Sequence, residues 1–393
     1  MAAVLVLWAA FFVVNFNIAM MIPLLPFIQA DVGLSPREAG LVLAAFPVFA
    51  LVSNLALGPF VDRFGRRPFI IAGALACAAL FLLTALARGA VPIILARAAT
   101  GIFMPMVGAS VFAAMADYVP APQRARIAGY ITSAAPVAFL AAMSLGVTLG
   151  GLVAWQLPLV ALAAVALAVA IGAWRLPPTP AAARTTGRIT ARTYRNRLLS
   201  LSLDTATRLF LLSHLAWALA LFVFLGLYPS WLLQAGLPGY GAGAIGALFL
   251  LAEVGGLFGA LLAGRISRRF AHPLGPCAVA SGVVALVMLT IPLGGGMALQ
   301  ATAYFVFAFS RDLMLALMLG GAMALVAPAE RGSLNSIMNA IYQTGASLGG
   351  IASAWLYAVR PDFWGNGLTA FILMAAAAAM LTAVTRTGMR PAS

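Results

Sequence analysis

Apolar residues along this chain fall in long, nearly unbroken blocks, with neither the alternation of an amphipathic strand nor the one-sided stripe of a helix packed on a soluble core. Twelve such blocks are present, roughly 4–28, 36–60, 69–88, 90–116, 125–153, 155–174, 209–234, 242–264, 272–294, 297–327, 332–358 and 363–386. A helix needs about 20 mostly apolar residues to cross the hydrocarbon layer, and each block meets or approaches that length. The pattern predicts an all-α membrane protein with twelve transmembrane helices. The second, fourth, fifth, tenth and eleventh blocks are long enough to tilt or to project beyond the bilayer.

One long polar interruption, residues 175–208, divides the blocks six and six. The expected organisation is a six-helix bundle at 1–174, a basic linker at 175–208, a second six-helix bundle at 209–386 and a tail at 387–393. The linker carries seven arginines against one acid, Asp204. Its part from Arg192 to Arg208 reads either as a solvated connector or as a basic helix lying along anionic headgroups. The halves echo each other in sequence. GPFVDRFGRR (Gly58–Arg67) has a counterpart in ALLAGRISRR (Ala260–Arg269), and APQRARIAGY (Ala121–Tyr130) in PAERGSLNSI (Pro328–Ile337). Duplicated halves predict pseudo-symmetric bundles with a substrate site near the membrane midplane.

Composition removes the soluble alternatives. Hydrophobic residues make up 64% of the chain and charged ones only 8%, against about 25% charged in an average soluble domain. A net charge of +14 would suggest nucleic acid in a soluble protein. Here its distribution decides otherwise. With the amino terminus in the cytoplasm, eighteen of the 23 basic residues, all arginine, lie inside, and only Arg37, Arg88 and Arg360 lie outside. That is the positive-inside rule, so both termini are expected on the cytoplasmic side of a bacterial inner membrane, with no nucleic-acid partner. The first block is too long for a signal-peptide core and has no small-residue cleavage site after it, so it is expected to stay as a helix. Cys77 and Cys277 lie in apolar blocks without metal spacing and read as free core residues.

The most specific motif is Gly58-Pro-Phe-Val-Asp62-Arg63-Phe-Gly65-Arg66-Arg67. Gly58 permits close helix approach, Gly65 a tight reversal, and Asp62 can accept hydrogen bonds from an arginine or a helix amino terminus. It closely resembles the signature loop between helices 2 and 3 of the major facilitator superfamily, and the resemblance extends over nearly the whole chain. It implies the major facilitator fold, a secondary transporter working by alternating access, and a latch on the inner side that forms in one state and breaks in another. Asp117 with Arg124 and Arg126 matches the family's loop between helices 4 and 5 and looks like part of that latch. Arg97-Ala-Ala-Thr-Gly101 resembles the helix 4 motif of the drug and proton antiporter branch. Where that branch has Gly-Pro, two residues and Gly-Gly in helix 5, this chain reads Gly146-Val-Thr-Leu-Gly150-Gly151, with a proline ten residues before Gly146, at Pro136.

Ionisable residues at membrane depth are functional candidates by default. Helix 1 offers only Asn15 and Asn17, which can bind a substrate but carry no proton near neutral pH. Glu253 and Asp312 are the acids inside predicted spans away from their ends, and either is a candidate proton carrier. Small neighbours could bury Glu253. Asp312 reads equally as an ion pair with Arg311, although adjacent helical residues point about 100° apart. Asn15, Asn17, Arg97, Arg311 and Met104 are the candidate cavity residues. Met104, Met106, Met314 and Met318 also raise a cuprous-ion reading, against which Met is an ordinary filler of apolar gaps. Trp155, Tyr228, Trp231, Trp355, Tyr357 and Trp364 are expected to form the aromatic belt of the outer interface.

The chain has no lysine, hence no phosphate loop, and no nucleophile, base and orienter set. An enzyme and a bound cofactor are not expected. The partners implied are a small-molecule substrate, protons and the lipid bilayer, with the protein a monomer. The favoured activity is proton-coupled export of small amphipathic or drug-like compounds. The competing readings are a symporter or facilitator that imports a small metabolite, and a sensor or assembly partner that keeps the fold without transporting.

Overall fold

The computed structural model describes residues 2–120, 123–178, 204–234, 240–270, 272, 274–322, 325 and 331–387. Every regular element among them is helical, and the chain divides into two compact units, residues 1–190 and 191–393. The stretch expected to lie along the membrane, 192–208, falls outside the described residues up to 203.

The first unit contains α1 (Ala2–Val32), α2 (Pro36–Phe64), α3 (Arg66–Leu86), α4 (Ala90–Tyr118), α5 (Arg124–Thr132), α6 (Ala134–Leu152) and α7 (Gln156–Trp174). Ser35 caps α2 by accepting from the Glu38 amide, while the Glu38 carboxylate accepts from the Ser35 amide at 2.8 Å, a reciprocal capping box. Gly65, with φ of 91°, turns α2 into α3 with no residue to spare. The fifth predicted span is two helices parted at Ser133. Pro136 has no N–H to give the Thr132 carbonyl, so the helical ladder loses a rung at that point.

The second unit contains α8 (Thr205–Leu225), α9 (Tyr228–Gln234), α10 (Ala242–Ser267), α11 (Gly275–Thr290, continued by a 3-10 turn Ile291–Leu293), α12 (Met297–Ala322), α13 (Arg331–Val359) and α14 (Trp364–Thr387). Asp204 accepts the Thr207 amide, which starts α8 at Thr205, four residues before the expected start of the second bundle at 209. The seventh span also breaks, at Gly226. In an unbroken helix the Val223 carbonyl would accept from the Leu227 amide. Here it accepts from Nδ2 of Asn366 on α14, a fully buried side chain that also donates to the Ser353 carbonyl and hydroxyl on α13. One amide thus ties three helices together where the backbone gives up its own bond.

The same pairing scheme runs through both units. In the first, α2 packs on α4, α3 on α4 and α7, and α1 on α6; in the second, α10 packs on α12, α11 on α12 and α14, and α8 on α13. The duplication seen in the sequence is therefore a duplication of packing. Among the described residues eleven helical stretches have the length and hydropathy to cross a membrane, with α8 and α9 joined as one. The remaining long helix, α13, is 29 residues and more polar, which still exceeds the required span. Leu83, Leu86, Leu95 and Leu261 stand mostly exposed, as side chains facing lipid should.

The aromatic-belt expectation needs correction. Tyr228 and Trp231 are buried in a ring cluster with Phe224, Phe249, Tyr304 and Phe363, and Tyr228 stacks on Tyr304 with centroids 5.1 Å apart. The Tyr228 hydroxyl donates to Gln300, whose own amide donates to the Ile291 and Gly294 carbonyls. Trp155 is likewise buried and donates its indole N–H to Asp31 at 2.8 Å. Tyr228 and Trp155 thus bury their rings while the polar tip of each keeps a hydrogen-bond partner. Trp355, by contrast, is mostly exposed.

Candidate functional site

Two buried polar groups stand out at membrane depth, one in each unit. In the first, Gly101 lets α2 and α4 approach so closely that a side chain there would collide with the Phe46 carbonyl. One turn away, Arg97 lies with its guanidinium carbon 4.9 Å from the centre of the Phe46 ring and donates from Nη1 to Oδ1 of Asn17 on α1 at 2.6 Å. Arg97 is 2% exposed and Asn17 fully buried. The cation is thus held by an aromatic face and a neutral amide, and among the described residues no carboxylate pairs with it.

In the second unit the close approach is between α10 and α12. A side chain at Gly259 would strike the backbone carbonyl of Phe309, and one at Gly256 the Asp312 carboxylate. Across this contact Arg311 takes both oxygens of Glu253, Nη1 to Oε1 at 3.0 Å and Nη2 to Oε2 at 2.6 Å. It also takes both oxygens of its neighbour Asp312, Nε to Oδ1 at 2.8 Å and Nη2 to Oδ2 at 2.9 Å. The 100° between adjacent residues does not keep Arg311 and Asp312 apart, because the arginine arm is long enough to fold back. Glu253 is 1% exposed, as its small neighbours suggested, whereas the Asp312 side chain is 14% exposed. Two carboxylates share one guanidinium, so the ionised cluster carries a surplus negative charge.

At the end of the first unit where α2 turns into α3, Arg66 approaches Asp117 at 3.6 Å, joining α3 to α4. Arg67 donates to the Trp174 carbonyl at the end of α7, and Tyr118 to the Pro177 carbonyl at 2.9 Å. Burial, reinforced by the Asp117 charge, pushes the Tyr118 hydroxyl above its ordinary pKa and keeps it a donor. Arg63 is exposed beside Phe64. The side-chain surroundings of Gly58, Asp62, Arg124 and Arg126 lie outside the described residues.

The other candidates divide. Asn15 donates to the Phe11 carbonyl of its own helix at 2.8 Å and does not join Asn17. Met104 is buried without a polar contact, and the Met314 sulfur receives the Ser281 hydroxyl at 3.7 Å. Cys77 and Cys277 are free and buried. Sequence reasoning named all three members of the Glu253, Arg311 and Asp312 cluster but missed the Glu253 to Arg311 pairing. The available signal was that the second half holds one intramembrane arginine and two intramembrane acids.

Comparison with known proteins agrees with this architecture. The family model of the Major Facilitator Superfamily matches residues 7–350. Multidrug resistance protein 2 of Bacillus subtilis is 28% identical over 150 residues, 38% of this chain and 36% of that protein. Quinolone resistance protein NorA of Staphylococcus aureus is 27% identical over 151 residues, 38% of each chain. The matched region thus spans little more than a third of these relatives. Among solved structures, a bacterial homolog of the human lysosomal transporter Spinster, inward-facing and unoccupied, superimposes with a TM-score of 0.78 at 16% identity, covering 98% of this chain and 96% of that one. The nucleoside transporter NupG gives 0.78 at 14% identity, covering 98% and 99%. With two units of one repeated packing scheme and a family match over most of its length, the chain belongs to the Major Facilitator Superfamily of membrane transporters.

Proposed function

We propose that this transporter is a proton-coupled exporter of small amphipathic compounds, working by alternating access in a bacterial inner membrane with both termini in the cytoplasm. The observation that carries the reading is the buried cluster of Glu253, Arg311 and Asp312. A proton on one carboxylate cancels its surplus charge, so proton gain and loss change the cost of holding the cluster away from water. A conformational equilibrium that exposes the cluster differently in two states is thereby biased by protonation. Asp312 is the exchanging carboxyl, because Glu253 is sealed while Asp312 keeps some exposure. The multidrug and quinolone resistance relatives support export and amphipathic substrates.

The test uses proteoliposomes with an imposed pH gradient and a fluorescent dye as cargo. Asp312→Asn should abolish uphill accumulation while sparing dye exchange, since exchange needs no net proton movement. Full gradient-driven accumulation in both Asp312→Asn and Glu253→Gln would overturn proton coupling through this cluster and favour a facilitator.

A further inference from the structure

The arginine of the first unit keeps a buried donor that its neighbours do not use. Arg97 uses Nη1 on Asn17, but its Nε–H is buried with no acceptor among the described residues, and Nδ2 of Asn17 is buried with none among them either. Both unmade hydrogen bonds belong to donors. The group they lack is an acceptor, and because the cation they flank has no carboxylate, the fitting acceptor carries negative charge.

The unit's own acids do not supply it. Asp31 accepts from Trp155, Glu38 is spent on the cap of α2, and Asp117 pairs with Arg66. Asp62 lies on α2 sixteen residues beyond Phe46, the ring that Arg97 covers, which is about 24 Å along the helix axis. A buried cation left in this condition is costly relative to a paired one, so its place in the fold calls for a partner that comes and goes.

We infer that Arg97 and Asn17 form the recognition site for an acidic group, so that the transported compound is an amphipathic carboxylate and not a lipophilic cation. With Nη1 occupied, the edge of the guanidinium bearing Nε takes the carboxylate, and the Asn17 amide donates to one of its oxygens. The Phe46 ring covers one face of the guanidinium and shields the pair from water. This inference rests on the exporter reading for the word transported, but binding can be measured without it.

The experiment compares three probes with one apolar body, 1-naphthaleneacetate, 1-naphthaleneacetamide and 1-naphthylmethylamine, by thermal stabilisation of the purified full-length protein in detergent. The carboxylate is expected to bind about tenfold or more tightly than the amide and the amine, the scale of a charged hydrogen-bond pair. Arg97→Gln should remove the preference of acid over amide. Asn17→Ala, which keeps the cation, should weaken the acid by roughly threefold to tenfold and leave the amide unchanged. Should Arg97→Gln fail to fold, the wild-type preference and Asn17→Ala decide. Equal binding of acid and amine, or an acid preference that survives in both variants, overturns the inference. Gradient-driven export of a cationic dye without acid-selective binding would sink this inference and leave the exporter standing; acid-selective binding with no gradient-driven movement of any probe would do the reverse.

Discussion

The Arg311 guanidinium holds both oxygens of Glu253, a residue 58 positions away on α10, at 3.0 and 2.6 Å, and turns its remaining edge to Asp312. The three residues are unequal in what their loss leaves behind. Glu253→Gln leaves Arg311 paired with Asp312, a neutral couple. Arg311→Gln leaves the buried Glu253 carboxylate facing the partly exposed Asp312 carboxylate without the cation between them. Removing one partner of a buried pair costs about 3–5 kcal/mol. We expect Arg311→Gln to lose most of that range and Glu253→Gln clearly less, as judged by melting temperature in detergent at neutral pH. A larger loss in Glu253→Gln would mean that the pairing with Asp312 does not compensate.

The approach of α10 to α12 that builds this cluster depends on glycine. At Gly259 an added methyl would meet the Phe309 carbonyl, part of the backbone and unable to swing aside, whereas at Gly264 nothing lies within reach. Gly259→Ala should cost about 1–3 kcal/mol through overpacking. Gly264→Ala should be neutral or slightly stabilising, since alanine is the better helix former. Expression level and melting temperature of the two variants, measured side by side, check the contrast. Equal behaviour would show that α10 and α12 can separate without cost.

Asn366 offers a test of how the second unit tolerates its broken helix. Its amide supplies donors to the Val223 and Ser353 carbonyls, and neither donor nor carbonyl sees water. Asn366→Leu has similar size but leaves those acceptors without this partner, for an expected loss of about 1–3 kcal/mol in melting experiments. Asn366→Asp keeps the acceptors but not the donors and should do no better. A stable Asn366→Leu variant would indicate that the carbonyls find another partner.

How far the sequence reached depended on the range of the interaction. Block lengths gave the helices, and the missing N–H of Pro136 gave a reason for the break at Ser133, because both are local. Gly226 gave no such reason, since glycine is tolerated inside helices and the bond that replaces the lost one comes from Asn366, far along the chain. Arg97 and Asn17 were legible as polar residues at membrane depth, but their contact, 80 residues apart in sequence, was not. Tyr228 and Trp231 sit near the end of an apolar block, where an interfacial ring and a buried one look alike. Only the rings contributed by α10, α12 and the turn before α14 distinguish them.

The loop between α2 and α3 can be tested for a part in turnover separate from its part in stability. Arg66 and Asp117 lie 3.6 Å apart with side chains mostly shielded, and Arg67 reaches the end of α7, so the signature motif ties three helices at one end of the first unit. A tie that holds in every state would act as a structural pair alone. A tie that must loosen during the cycle raises the energy of the states without it, and weakening it shifts the conformational balance. Asp117→Asn and Arg66→Gln, alone and together, separate these cases. The double-mutant cycle on melting temperature should give a coupling of about 0.5–3 kcal/mol. In proteoliposomes each single variant should slow dye transport several-fold while retaining binding, and the double variant should be no slower than the worse single one, because the lost bond is shared. Coupling in stability combined with unchanged transport in all three would reduce the motif to a fold-holding contact.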